Sequence, residues 1–468
     1  DSKGENNGQI EINADNSYGV VVTDKGSFID NGLLSISGND SYGIVSKGGT
    51  AGTGNSLSID LTGENSIGIY AGDVTASSQV TLTGGSVSAD NGGVNFGAGL
   101  NGTVSLNNVN FTVGNKSLGF FTQENGIINI QNSTGIIKGA AASSDRGTAF
   151  SLTGDGIGIT EINSLADLNS LITASGLNLS NLTLNMESGS RLFLIQDASV
   201  KLSTINRIDS NPALSWIIIN GSDYKTMSLH NALLNIDEEM NLDNNNVEIT
   251  NSSVINNSII KGTNSSQQGI AQANTAGAAK SSLVLVNNGE INLSGQESVG
   301  IYADYGFINN NNIISTQGSS SFGIYGVNGT DIETAAGSII KSGTNGAGIV
   351  SQSYILDPVT GLIIDNGYGD GTFKISHNGK IEMSGSNSFG IYADNNDTNI
   401  LTDISARIIN LNTGSLIDMS STSTKGTALY ANKATVNVYG NIKTGSEGIG
   451  IYADSSNITL NGGIIDIS

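Results

Sequence analysis

The sequence predicts an all-β fold, a right-handed parallel β-helix (β-solenoid) with about 25 residues per coil and with insertions. Three observations carry this prediction. A short phrase, of which SFGIYAD at 388–394 is one copy, recurs along the chain. The 468 residues include 63 Gly but only 2 Pro, which suits short strands joined by tight turns. Apolar residues alternate with polar ones at period 2, which is typical of strands.

The repeated phrase sets the length of one coil. Clear copies are SVGIYAD at 298–304 and GIGIYAD at 448–454, and looser ones are SIGIYAG at 66–72 and SFGIYGV at 321–327. Neighbouring copies lie about 25 residues apart, a period typical of solenoids. The central position of the phrase is assigned to Gly19, Gly43, Gly68, Gly93, Gly119, Ala149, Gly300, Gly323, Gly348, Gly390, Ala428 and Gly450.

Each coil is predicted to contain three short strands. In GEINLSGQESVGIYAD, residues 289–304, the first strand holds Ile291 and Leu293, which alternate with polar residues. A Gly, a polar pair and a Ser follow, and they predict a tight corner with left-handed backbone. The phrase forms the second strand, in which alternation places Phe389, Ile391 and Ala393 of another copy inside and Tyr392 outside.

The chain is predicted to be one continuous solenoid in three stretches. Residues 1–154 and 269–468 carry regular coils, and the latter include a loop insertion near 353–372. Residues 155–268 lose the register and are expected to keep irregular coils with inserted loops. Within them, Leu165, Leu168 and Leu171 stand at the spacing of a short helix.

Composition narrows the partners that the protein could have. A formal net charge of −22 and a pI of about 4.2 argue against binding to nucleic acid or to an anionic membrane surface. No apolar run is long enough to cross a membrane, so no direct membrane insertion is expected. The absence of Cys excludes disulfides and thiolate metal sites.

No catalytic residue, metal site or cofactor is predicted. His230 and His377 stand far apart and show no metal-ligand spacing, so both are expected to be surface or turn residues. Asp304, Asp394 and Asp454 follow the Ile-Tyr-Ala core of the phrase, where capping of a turn is the favoured role. Calcium binding and a catalytic carboxylate pair are the less favoured alternatives for these positions.

Ligand contacts are expected where the repeat is broken. Loops that interrupt a regular solenoid present side chains singly, and recognition usually lies there. The candidates of this kind are Trp216, Tyr224, Tyr354 and Tyr368. A column of outward tyrosines is the less favoured candidate, because aromatic rings there can stack on one another and because Val takes the same position elsewhere. Its members are Tyr302, Tyr325, Tyr392, Tyr430 and Tyr452.

The phrase also carries a family resemblance. Together with the leading G-x-I-x-Φ-S/T-G-x-x-S unit, SVGIYAD, SFGIYAD, GIGIYAD and GTALYAN resemble passenger domains of the large monomeric (type V) autotransporter adhesins of fusobacteria. The resemblance covers roughly 1–150 and 280–468. It implies a monomeric surface adhesin, extracellular and tethered to the outer membrane by a C-terminal barrel absent from this chain. It also implies a host-cell or bacterial surface receptor, which is a glycan, a glycoprotein or another protein.

Two other function classes stay open from the sequence. Some β-helices cleave polysaccharides, and a clustered pair of carboxylates in a groove would favour that enzyme. A regular rod could also be a structural spacer that lifts a distal binding domain. The favoured interpretation is an adhesin that binds through insertions on a β-helical rod.

Overall fold

A computed structural model of the chain describes residues 2–54, 57–154, 157–210, 214–353, 355–356, 363–364, 371–395, 404–420 and 425–467. By their internal contacts the residues form two units, one of 1–232 with 246–248 and one of 233–245 with 249–468. Each unit is built of three long parallel sheets, and successive strands of the chain pass from one sheet to the next. The predicted parallel β-helix is thereby confirmed for both units.

Within the described residues, the first unit contains three long sheets and two α-helices. Its phrase sheet, the sheet formed by the repeated phrase, consists of Tyr18–Thr23, Tyr42–Lys47, Ile67–Ala71, Val94–Ala98, Leu118–Thr122, Thr148–Thr153, Arg191–Gln196, Lys225–His230 and Val247–Thr250, of which Val247 and Glu248 belong to this unit. The second sheet consists of Lys3–Asn6, Ser27–Asp30, Thr50–Thr53, Ser78–Thr83, Gly102–Asn107, Ile127–Gln131 and Leu177–Ser180. The third consists of Gln9–Ile12, Leu33–Ile36, Ser58–Leu61, Ser86–Ala89, Asn110–Val113, Thr134–Ile137, Leu182–Met186 and Ile217–Asn220. The remaining elements are the strand pair Glu161–Ile162 and Ser199–Lys201, the α-helices Leu165–Ala174 and Leu202–Ser210, and the 3₁₀ turn Ser143–Asp145.

The second unit repeats the same plan. Its phrase sheet consists of Gln268–Ala273, Val299–Asp304, Phe322–Val327, Ala347–Gln352, Phe389–Asp394, Thr427–Asn432 and Ile449–Asp454. Another sheet consists of Leu233–Ile236, Ser253–Asn256, Val284–Asn287, Phe307–Asn310, Asp331–Thr334, Phe373–His377, Arg407–Leu411, Thr435–Val438 and Asn457–Leu460. The last consists of Met240–Asn241, Ile259–Gly262, Glu290–Leu293, Ile313–Thr316, Ile339–Ser342, Lys380–Met383, Leu416–Met419, Asn441–Thr444 and Ile465–Ile467. Outside these sheets lie the antiparallel pair Ile355–Leu356 and Ile363–Ile364 and the 3₁₀ turns Leu242–Asn244, Lys280–Ser282 and Ile404–Ala406.

Equivalent residues of successive coils pair directly in the phrase sheets. Ile301 pairs with Ile324, and Ile324 pairs with Ile349. Identical apolar side chains therefore stack one coil above another, and all three are fully buried. The assignment of Gly93 to the central position was wrong, because Val94 pairs with Leu118 and Phe96 with Phe120. Asn95 holds that position instead.

The central glycine points into the core, which corrects the predicted alternation. A Cβ built on Gly300 would clash with the Ile314 side chain and lie 2.5 Å from the Gly323 carbonyl oxygen. Gly300 and Ile301 thus both face inward, and strict alternation breaks at this point. In the copy at 388–394, Ile391 and Ala393 are buried as predicted. Phe389 is half-buried on the outer side, where its ring contacts Tyr392 at 4.9 Å.

The corner before the phrase is left-handed, as predicted, but not at the glycine. The positive φ falls on the residue before the serine, for example Glu297 at 56° and Asn387 at 53°. The serine that follows is buried and joins successive coils, since the Ser298 backbone N–H donates to the Ser321 hydroxyl at 3.1 Å. The repeated Ser therefore satisfies backbone groups at a bend where no strand partner exists.

Candidate functional site

Trp216, the first predicted ligand residue, is half-buried in the first unit. Its indole N–H donates to the Asn169 side-chain oxygen at 3.0 Å, and its ring meets the buried Phe150 edge-on at 6.3 Å. Asn169 lies on the helix Leu165–Ala174, so Trp216 fastens that helix to the core. Receptor binding by Trp216 stays a prediction, and it would have to use the exposed part of the ring.

Of the other predicted loop residues, only Tyr224 lies within the described part of the chain. Tyr224 is half-buried and immediately precedes the strand Lys225–His230. Tyr354 and Tyr368 lie outside the described residues, as does most of the insertion near 353–372. The contribution of these three tyrosines to ligand binding stays a prediction.

The outward tyrosine column lies on the phrase sheet of the second unit, and most of its rings are half-buried against one another, whereas Tyr452 at the end of the column is 49% exposed. Tyr392 stacks on Tyr430 with ring centroids 4.7 Å apart, and Tyr430 stacks on Tyr452 at 5.4 Å. Tyr302 meets Tyr325 edge-on at 5.8 Å, and the Tyr325 hydroxyl donates to the Gln352 side chain at 2.6 Å. Burial raises the pKa of Tyr325. Because the faces of the stacked rings contact each other, few are free for a ligand.

A groove that the sequence did not reveal runs along the phrase sheet of the first unit. Its volume is about 520 Å³, within the range typical of small-ligand sites. Aromatic side chains line it: Tyr18, Tyr42, Tyr70 and Phe121. Tyr18 and Tyr42 precede the central glycine, a position that the alternation rule had assigned to the core. Tyr18 is in fact 49% exposed. The available signal was that an aromatic residue directly precedes the glycine in two successive coils.

Tyr70 is oriented differently from the other tyrosines of the groove. Tyr18 and Tyr42 stack at 5.0 Å with an interplanar angle of 10°, whereas Tyr70 stands at 73° to Tyr42. Its ring lies against glycines: a Cβ on Gly97 would come within 3.0 Å of Tyr70 Cδ2, and one on Gly99 would clash with the Tyr70 hydroxyl. One side of the ring therefore rests on bare backbone, while the ring also lines the groove.

Polar side chains form the walls of the groove. On one side a short loop begins at Asp73 and exposes 77% of Val74. The Asp73 carboxylate accepts hydrogen bonds from the Thr75 N–H, the Thr75 hydroxyl and the Ala76 N–H, which lower its pKa. Asp73 thus holds the loop in shape and is a poor general acid, a role that requires a raised pKa.

Another part of the groove lining is shared with a second cavity. The Gln123 amide donates to the Tyr70 hydroxyl at 3.4 Å, and Glu124 lies beside it. A neighbouring cavity of about 390 Å³ is lined by the same Phe121, Gln123 and Glu124, and continues to Ser175 and Gln196. The two cavities thus follow one face of the first unit over several coils.

A cluster of charged side chains in the first unit is closed rather than open. The Glu248 carboxylate forms ion pairs with Arg146 Nη1 at 2.7 Å and with Arg191 Nη2 at 2.9 Å. It also accepts a hydrogen bond from the Ser228 hydroxyl at 2.8 Å. Burial alone would raise the pKa of Glu248, but hydrogen bonds from Arg191 and Ser228 and the charge of Arg146 lower it to about 2. Every side chain of the triad is at most 18% exposed, so its role is structural.

Glu248→Gln is expected to lower the free energy of unfolding by about 2 kcal/mol at pH 7, because two nearly buried guanidinium groups lose their counter-charge. Glu187→Gln is the matched control. Its partner Lys138 is 43% exposed, and such surface pairs contribute at most about 1 kcal/mol. Urea unfolding of both variants gives the comparison. Because folding lowers the Glu248 pKa, its contribution is present above pH 4.5 and is lost as the pH falls towards 2. Equal losses in the two variants at pH 7 would contradict this role.

The predicted carboxylates Asp304 and Asp394 are held at strand ends. Asp304 accepts from the Asn328 amide at 2.6 Å, and Asp394 accepts from the Asn432 amide at 2.9 Å. Both are nearly buried. Within the described residues, no group of three or more His, Asp and Glu is placed to hold a metal ion. In that same part of the chain, no helix is long and apolar enough to cross a membrane.

The fold and the groove define a class: a parallel β-helix repeat protein that presents a ligand-sized aromatic groove on one of its sheets. The sequence matches no protein-family model, and no curated protein is significantly similar to it.

Proposed function

We propose that the chain is the passenger region of a bacterial cell-surface adhesin of the autotransporter kind, which binds a receptor on a host cell or a partner bacterium. The proposal is supported by the recurring phrase SFGIYAD and its copies, by the parallel β-helix and by the acidic composition. The observation that carries it is the groove around Tyr70, where the exposed Tyr18 and the half-buried Tyr42 and Tyr70 lie beside polar side chains, an arrangement typical of recognition surfaces.

Binding explains the groove better than catalysis does. Of the carboxylates that line it, Asp73 is tied to its own loop, and hydrogen bonds there lower its pKa. Glycoside hydrolysis needs one carboxyl group that is still protonated at working pH beside a second that is not. Polysaccharide cleavage is therefore the less favoured function, and a spacer would not require Tyr18 to be 49% exposed.

Beads coated with the folded 468-residue chain are expected to adhere to epithelial cells or to a co-cultured bacterium in a saturable manner. Soluble chain should compete with them, because recognition by a defined surface is limited by the number of receptors. The measurement is the number of beads per cell by flow cytometry, with albumin-coated beads as the control.

Two outcomes would contradict the adhesin. No adhesion above the albumin control on host cells and on bacteria would favour a spacer. Release of reducing ends from soluble polysaccharides by the purified chain would favour an enzyme.

A further inference from the structure

We infer that the groove of the first unit binds a neutral, extended oligosaccharide, with the ring of Tyr70 as its stacking platform. This inference rests on the proposed function, for which it names the ligand class and the site. The groove is built from Tyr42, Tyr70, Phe121, the Asp73 loop and Gln123.

Tyr70 can serve as a stacking platform because of the way its ring is packed. A sugar ring presents C–H groups on one face, and these pack on the negative face of an aromatic ring. In the second unit, the ring faces of Tyr392 and Tyr430 stack on each other, with centroids 4.7 Å apart. Tyr70 instead rests against Gly97 and Gly99, so the side that lines the groove is not used by another aromatic ring stacked on it.

The charge around the groove favours a neutral ligand. The charged residues that line it are Asp73, Glu124 and Lys47. Their formal charges add up to 1 − 2 = −1. The Lys47 ammonium lies 5.3 Å from the centre of the Tyr18 ring and is attracted to that ring's face. The whole chain carries a formal charge of −22. Sialylated or sulfated glycans would therefore be repelled.

The length of the ligand follows from the second cavity. Cavities of about 520 and 390 Å³ share Phe121, Gln123 and Glu124, so a chain bound at Tyr70 can continue past Phe121 towards Gln196. Side-chain amide groups are available along this path on Gln123 and Gln196. These groups can replace the water that sugar hydroxyls lose on binding.

The test uses immobilised cellotetraose, chitotetraose and lacto-N-tetraose as neutral probes, with sialyllactose and a heparin tetrasaccharide as anionic ones. The full chain and three variants are compared by surface plasmon resonance. Tyr70→Ala removes the platform and is expected to weaken binding of a neutral probe about tenfold or more. Gly99→Ala forces the Tyr70 ring from its seat and should have a similar effect. Gly52→Ala is the matched control, since a Cβ there meets nothing nearer than 4.0 Å.

The results separate the inference from the function on which it rests. Binding of at least one neutral probe that Tyr70→Ala and Gly99→Ala weaken and Gly52→Ala does not supports the inference. Circular dichroism checks that each variant is folded. The inference is overturned if no neutral probe binds at millimolar concentration, if only the anionic probes bind, or if Tyr70→Ala binds as well as the full chain. If the coated beads still adhere to cells in these cases, the adhesin stands and the groove is not its glycan site.

Discussion

Ile391→Asp is expected to lower the free energy of unfolding by about 5 kcal/mol or more and to disrupt the second unit around it. Ile391 is fully buried and pairs with Ile349 in one neighbouring coil and with Leu429 in the other. A carboxylate there has no partner among apolar side chains, and an unpaired buried charge is among the largest single destabilising changes known. Thermal and urea unfolding followed by far-UV circular dichroism measures the loss.

Tyr392→Ser, one residue away, is the matched comparison. Tyr392 is half-buried on the outer side of the same strand, where it contacts the rings of Tyr430 and Phe389. Losing these contacts is expected to cost about 1–2 kcal/mol, well below the loss from Ile391→Asp. If the two substitutions destabilise the protein equally, the assignment of inside and outside in the phrase is wrong.

The fold was predictable because every coil solves the same packing problem. A parallel ladder places equivalent residues above one another, so each coil must supply an apolar residue at the position of Ile301, Ile324 and Ile349. Because of that requirement, equivalent apolar residues recur in the sequence with a period near 25 residues. The serine of the corner recurs for a similar reason, since it bonds the backbone of the adjacent coil.

The predicted inside and outside positions were wrong where two adjacent residues of a strand share one face. Alternation assigned Phe389 to the core, but the inward glycine shifts its neighbour to the surface. The same shift applies to Tyr18 and Tyr42, whose position the alternation rule also assigns to the core, and both line the groove instead. In the coil of Asn95, a buried Asn replaces the glycine and donates to the carbonyls of Val87 and Thr112, so the glycine pattern indicated the nearby Gly93 instead.

The groove itself could not be derived from spacing. It depends on the loop at Asp73, which stands beside the sheet, and on Gly97 and Gly99 in the next coil, which leave room for the Tyr70 ring. In the part of the chain that the structure describes, Tyr70 is the tyrosine whose ring packs on glycines of the next coil. The repeat pattern reflects what the coils have in common, whereas the groove depends on features of individual coils.

Burial of a polar column inside the second unit was also not foreseen. Asn256, Asn287, Asn310, Thr334 and His377 occupy equivalent positions of successive strands and are fully buried. The Asn256 amide donates to Asn287 at 2.7 Å, and the Asn287 amide donates to Asn310 at 2.7 Å. Such ladders satisfy polar groups between coils. His377, interpreted from the sequence as a surface or turn residue, belongs to this column.

The stability of the protein is expected to fall by about 3 kcal/mol as the pH drops from 6.5 to 4, on account of His377. Burial lowers the pKa of His377 to about 4, and the backbone of Leu416 offsets only part of this effect. The ring bonds the Thr334 hydroxyl through Nδ1 at 2.8 Å, while Nε2 is buried without a well-formed hydrogen bond in the described part of the chain. A proton on this ring would place an uncompensated charge in the core.

The direction of this pH dependence follows from which state of the protein, folded or unfolded, binds the proton more readily. In the unfolded chain the histidine takes up a proton near pH 6.5, whereas in the folded protein it does so only near pH 4. Between these values the unfolded state binds more protons, so acid favours unfolding, and the contribution is fully present above pH 6.5. His377→Asn, which matches the Asn residues of the column, should remove this part of the pH dependence. The measurement is urea unfolding of both proteins at several pH values from 4 to 7. The slopes of wild type and variant should differ by up to about 1.4 kcal/mol per pH unit within the window, and parallel curves would show that His377 is charged or solvated in the folded protein.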